Sequence, residues 1–184
     1  PNIASPANGG TVVLASDPKL ARILSGDIEG GHAYVPRDSE VVIQFRDQKI
    51  MEVSKVALPI FQTHANNLRE FEILVSTESP TSGFSSVGVF ETQNIAFVAN
   101  PYQEFVFDPV KARYLKLKTR SFWNDGGWGY LFALRVFGKE AGEEPVSNEF
   151  AATPGTFSAK QEKKPAGPLN LALNDNGGKV VAGS

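Results

Sequence analysis

The sequence predicts an all-β protein: residues 1–139 read as an antiparallel sandwich or barrel with one short helix. Short runs rich in Val, Ile, Phe and Tyr recur every eight to twelve residues or so, separated by turn residues, which is the spacing of such folds. Residues 113–118 (RYLKLK) alternate with period two, setting Arg113, Leu115 and Leu117 on one face and Tyr114, Lys116 and Lys118 on the other. Beyond residue 139 the composition changes sharply to a Pro-, Ala-, Glu- and Lys-rich stretch, so the sheet-forming part ends there.

Asp17 can cap a short helix over residues 18–24. Pro18 suits its first position, Leu20, Ile23 and Leu24 form an apolar stripe, and Gly26 can close it. Residues 41–45 (VVIQF) and 50–60 read as strands flanking a hairpin turn at Asp47-Gln48. Residues 71–75 (FEILV) form a further strand, and SPTSG at 79–83 breaks the chain before a strand at 84–90. Strands at 104–107 and 131–137 complete the set, with Asp108-Pro109 read as a break after the first of them.

Composition bounds the function classes. Lys and Arg number 18 against 20 Asp and Glu, a net charge of -2, which lacks the basic excess that a nucleic-acid footprint requires. No cysteine is present, removing disulfides, thiol nucleophiles and thiolate metal sites. His32 and His64 are the only histidines. No apolar run approaches the roughly 18 residues of a membrane span. The chain opens on Pro1 with no signal peptide ahead of it, the expectation for a piece of a longer precursor.

Residues 140–168 lack helix or strand periodicity and read as a linker. Residues 170–184 (NLALNDNGGKVVAGS) align without a gap on residues 2–16 (NIASPANGGTVVLAS). Eight of fifteen positions are identical: the Asn, Ala, Asn-Gly-Gly, Val-Val and Ser positions. The expected organisation is therefore a domain at 1–139, a linker at 140–168, and at 169–184 the start of a second, truncated copy in a tandem array.

NIASPANGGTVV, KLARILSGD, REFEILVSTES, ARYLKLKTRSFWNDGG and LFALRVFG, in that order, resemble the discoidin family, also called coagulation factor V/VIII type C or galactose-binding-like domains, in its bacterial tandem-repeat form. The resemblance covers about residues 1–139. It implies an eight-stranded antiparallel jelly-roll β-sandwich whose loops at one end bind ligands. Sugar-binding relatives carry an Arg and an Asn where this chain has Leu58 and Ala65, so that pair is missing. A family calcium site draws a Glu from the place of Ala133, and its calcium loop here reads Leu24-Ser25-Gly26 with Asp27 as the one nearby carboxylate. A calcium ion takes six or more oxygens, so no structural calcium, and no other cofactor, is expected.

The segment RSFWNDGGWGY (120–130) concentrates rings among glycines. An indole there could lie on a sugar ring while Arg120, Asn124 and Asp125 bond hydroxyls. Trp123 and Trp128 can each plug the sandwich end or stand exposed, and one could do each. The family's sandwich implies that the loops GGHAYVPRD (30–38) and FQTHANN (61–67) lie nearby, which adds His32, Tyr34, Arg37, His64, Asn66 and Asn67 to the candidate patch.

No GxSxG, HExxH, P-loop or GxGxxG is present, and the set Ser121, His64 and Asp125 carries no diagnostic spacing, so no enzyme is expected. The basic residues 111–120 read as a solvated strand face. The expectation is a non-catalytic binding module of a secreted or cell-surface bacterial protein, extracellular or periplasmic, that recognises glycans. The alternative is a structural or protein-interaction spacer in a surface assembly.

Overall fold

The computed structural model describes residues 1–25 and 32–142, together with a short strand at Thr156–Ser158. Two sheets pack face to face. The five-stranded sheet runs β1 (Thr11–Ala15), β3 (Glu40–Gln44), β8 (Tyr114–Phe122), β5 (Leu68–Ser76) and β6 (Ser85–Glu91). The four-stranded sheet runs β10 (Arg135–Glu140), β4 (Met51–Pro59), β7 (Tyr102–Ala112) and β11 (Thr156–Ser158). A two-stranded ribbon pairs β2 (Ala33–Pro36) with β9 (Trp128–Leu131). The principal sheets take eight antiparallel strands from residues 1–140, the jelly-roll sandwich the motifs implied. The ribbon and β11 are additions to it.

Alternation explains the core. Val41 and Ile43 of β3, Ile73 and Val75 of β5, and Leu115 and Leu117 of β8 face Val53, Val56, Phe105 and Val136 of the other sheet, all buried. Phe71 and Phe90 from one sheet meet Phe105 from the other at 4.9 and 5.7 Å between ring centroids. The outward residues of β8 form ion pairs: Lys116 with Glu40 at 3.0 Å, Lys118 with Asp38 at 3.6 Å, and Arg120 with Glu72 at 3.1 Å. Lys116, Lys118 and Arg120 thus form a neutralised, partly exposed face, whereas the Arg113 Nε, just ahead of β8, is buried without a hydrogen-bond partner.

The helix at Pro18–Leu24 forms where expected, wound as a 3-10 helix. The Asp17 carboxylate accepts the Lys19 N–H at 2.8 Å, and Leu20, Ile23 and Leu24 are buried. Gly26, expected to close it, lies outside the described residues, as does Asp27.

Three strand expectations need correction. The turn at Arg46–Gln48, with Asp47 and Gln48 at left-handed φ of 52° and 55°, joins no hairpin. It carries the chain from β3 in one sheet to β4 in the other, because Ile43 and Phe45 before it and Val53 and Val56 after it all need the space between the sheets. Asp108-Pro109 does not end its strand. β7 runs on to Ala112, and the proline sits at a bulge where the β4 register shifts between Val53 and Lys55, a place that needs no N–H donor. Residues 131–137 are not one strand either. β9 ends at Leu131, and β10 begins at Arg135 after the Leu134 N–H has bonded the Ile23 carbonyl at 2.9 Å. The linker, expected to lack structure, contributes β11, paired in parallel with β7. Residues 143–155 and 159–168 of the linker, and residues 169–184, lie outside the described residues.

Candidate functional site

The β2–β9 ribbon lies at one end of the sandwich, where residues 60–67, 92–101 and 123–127 also meet. Its buried side is apolar: Ala33, Val35 and Leu131 join the core cluster. Its outer side carries Tyr34 opposite Tyr130 and Pro36 opposite Trp128. Aromatic side chains reach diagonally across such a pair. Tyr34 accordingly lies 5.7 Å from Trp128 at an interplanar angle of 29°, and 5.4 Å from Tyr130.

The row of rings continues past the ribbon. His32 lies 4.0 Å from Tyr130 and 5.5 Å from Phe132, His64 5.3 Å from Tyr130, and Phe61 5.0 Å from Phe132. Tyr34 and Trp128 are 39% and 44% exposed, so about two-fifths of each amphipathic ring faces water. Rings with apolar faces and polar rims suit molecular contact.

Gly129 makes the row compatible with the core. It pairs with Val35, and a β-carbon there would collide with the Phe122 ring and the Asn66 carbonyl. Arg37 holds the turn beside Trp128, its backbone N–H donating to the Gly127 carbonyl at 2.7 Å.

The polar candidates are mostly committed within the fold. Asn67 is buried, and its amide donates to the Gln62 carbonyl and to Asn94 Oδ1, each at 2.8 Å. The Asn66 carbonyl accepts the Tyr130 N–H at 2.7 Å, and its side-chain oxygen accepts from the Asn124 amide. Asn124 also donates to the Trp128 carbonyl at 2.9 Å and accepts the Gly126 N–H at 2.9 Å. His64 Nδ1 accepts the Asn66 N–H at 3.0 Å. Trp123 is half-buried: Nε1 donates to Thr92 Oγ1 at 3.3 Å, and Arg69 lies 4.9 Å from its ring centroid. Asp125 and the Arg37 side chain are exposed at the loop tip.

The fold therefore gathers His32, Tyr34, Arg37, His64, Asn66, Asn67, Trp123, Asn124, Asp125 and Trp128 at one end. Arg120 stays on the outer face of the five-stranded sheet with Glu72. Trp123 packs and Trp128 stands out, one indole in each of the two roles. Phe61, Tyr130 and Phe132 join the row without having been singled out. The signal for two of them was the alternation of Trp128, Tyr130 and Phe132, matched by His32 and Tyr34.

Ser121, His64 and Asp125 do not assemble. The Ser121 hydroxyl donates to Glu70 at 3.1 Å, and the His64 ring packs on Tyr130. Among the described residues, no three His, Asp or Glu side chains gather as a metal site, and no helix is long and apolar enough to cross a membrane. Leu58 and Ala133 are buried apolar positions.

The fold is shared with solved carbohydrate-binding modules. A family 32 module from a family 31 glycoside hydrolase of Clostridium perfringens has a TM-score of 0.58 at 17% identity, covering 72% of this chain and 93% of that one. A pectin-binding module has a TM-score of 0.54 at 18% identity, covering 82% and 96%. The chain is thus a galactose-binding-like β-sandwich of the kind found in binding modules. A family model described as Sad1 / UNC-like C-terminal matches residues 15–140, most of the chain, and the chain belongs to that family rather than to the discoidin family its motifs resemble. SUN domain-containing protein 4 of Arabidopsis thaliana is 30% identical over 150 residues, 73% of this chain and 24% of the relative. SUN domain-containing protein 5 of the same plant is 27% identical over 132 residues, 70% and 22%. The chain spans about a quarter of the length of these relatives.

Proposed function

We propose that this chain is a non-catalytic binding module whose contact surface is the row of rings on the β2–β9 ribbon, and that its partner is a protein segment. The carrying observation is the contrast between exposed rings and committed amides. Tyr34 and Trp128 offer aromatic surface, while the amides of Asn67 and Asn124 are spent on the fold itself. A sugar needs several polar groups to read its hydroxyls. A protein contact rests on a few Tyr and Trp anchors in an apolar patch. Membership in the Sad1/UNC-like family supports the same reading.

A glycan is the second reading, favoured by one feature. The Tyr34 and Trp128 rings lie within 29° of parallel, with exposed Arg37 and Asp125 beside them. The solved modules that share this fold are carbohydrate-binding modules, and at 17–18% identity that likeness speaks for the fold and not for the ligand. On either reading a single module binds weakly, and repetition along a secreted or surface-exposed parent chain would raise avidity.

Selection from a displayed peptide library and screening on a polysaccharide array, run in parallel, separate the two. Peptides that bind the native chain and lose at least tenfold in affinity on Tyr34→Ala or Trp128→Ala support the protein reading. Ring-dependent binding to the array alone establishes the glycan reading. Binding indifferent to both substitutions removes the row as the contact surface.

A further inference from the structure

The outer edge of β7 is divided in two by its sequence. Its C-terminal half holds Asp108, Pro109 and Lys111, all exposed. A proline without a donor and charges of both signs are the devices that keep a strand edge from pairing. The N-terminal half, Glu104, Phe105 and Val106, has no proline. Its one carboxylate is engaged with Lys55 at 3.0 Å. Phe105 is fully buried and Val106 is 41% exposed.

β11 covers the undefended half. Thr156 lies opposite Glu104, Phe157 opposite Phe105 and Ser158 opposite Val106, in parallel. At three residues β11 lies at the short end of strand lengths, and its parallel pairing is slightly weaker per residue than antiparallel pairing. Pro154 and Gly155 precede it directly and limit its extension on that side.

We propose that the edge of β7 at residues 104–106 is a strand-docking site, and that its occupant is the chain's own segment at residues 156–158, held exchangeably so that the same sequence supplied in trans can take its place.

Since the chain has no cysteine, the double substitution Val106→Cys and Ser158→Cys probes the pairing with a single engineered disulfide. Oxidation should give a fast-migrating intrachain crosslink. Its absence overturns the docking. Exchange is tested in the full chain carrying Thr156→Pro and Ser158→Pro, which removes donors from the segment. Those amides of residues 104–106 that face β11 should then exchange with deuterium at least tenfold faster, while those facing β4 and those of Phe71 and Leu117 keep their protection as the control for folding. A fluorescent peptide spanning residues 153–160 should bind this variant at least tenfold more tightly than the native chain, whose site is filled, and a scrambled peptide should bind neither. Unchanged exchange at 104–106, or equal binding of the native and scrambled peptides, overturns the proposal.

Discussion

Gly129 lies flush against the Phe122 ring, so the strand that displays Trp128 and Tyr130 can lie on the core only without a side chain between them. Gly129→Ala should cost about 1–3 kcal/mol, the usual range for forcing an extra carbon into a packed site. The midpoint of chemical denaturation measures it. A loss below about 0.5 kcal/mol would mean that the ribbon moves away from Phe122 freely.

The two tryptophans should respond differently. Trp128→Ala removes a ring 44% exposed on the row and should change stability by less than about 1 kcal/mol. Trp123→Ala loses the hydrogen bond to Thr92 and the stacked Arg69, and should cost more, about 2–4 kcal/mol. Thermal melts of both variants check the order. Equal losses would contradict the division of roles.

Asn67 is buried and holds residues 60–67 against Asn94 of the neighbouring loop. Asn67→Ala removes a donor from the Gln62 carbonyl and leaves Asn94 Oδ1 with the His64 N–H at 3.0 Å alone, at a cost of about 1–3 kcal/mol. Amide exchange should show both loops opening together. Opening confined to one loop would show that the His64 N–H alone keeps Asn94 in place.

Phe105 touches Phe71 and Phe90 across the two sheets. Phe105→Ala should therefore cost about 3–5 kcal/mol and lower the cooperativity of unfolding. A denaturation midpoint near the native value would remove this cluster from the centre of the core.

Chelator should leave the melting temperature unchanged, because the place of the glutamate in the discoidin calcium site holds Ala133, which is buried and has no oxygen donor in its side chain. A melting temperature that rises with calcium concentration would show a site built from other groups.

Period-two alternation made much of the fold legible. It placed Leu115 and Leu117 inward with Lys116 and Lys118 outward, and Asp17-Pro18 marked the start of the short helix. Crossings were illegible, because a tight turn such as 46–48 looks the same whether its strands pair or face each other across a core. Pro109 misled for a related reason: a bulge hides the donor it lacks. At the site, the residue types Tyr34, His64 and Trp128 pointed to one end of the sandwich. The commitment of Asn66, Asn67 and Asn124 to backbone partners was invisible, since it depends on loops distant in sequence. Arg120 was drawn in by its proximity to Trp123 along the chain, yet strand alternation sends it to Glu72.

The crossings also set the order of events during synthesis. Among the described strands, β5 and β6 are the only pair adjacent both in sequence and in a sheet. Glu40 of β3 waits for Lys118 of β8, 78 residues later. At ordinary translation rates of about 5–20 residues per second, that wait is roughly 4–15 s. Until then the nascent chain offers β3, carrying Val41 and Ile43, with β1 as its one available sheet partner at the ribosome exit. The domain can close only after its seventh principal strand has cleared the tunnel.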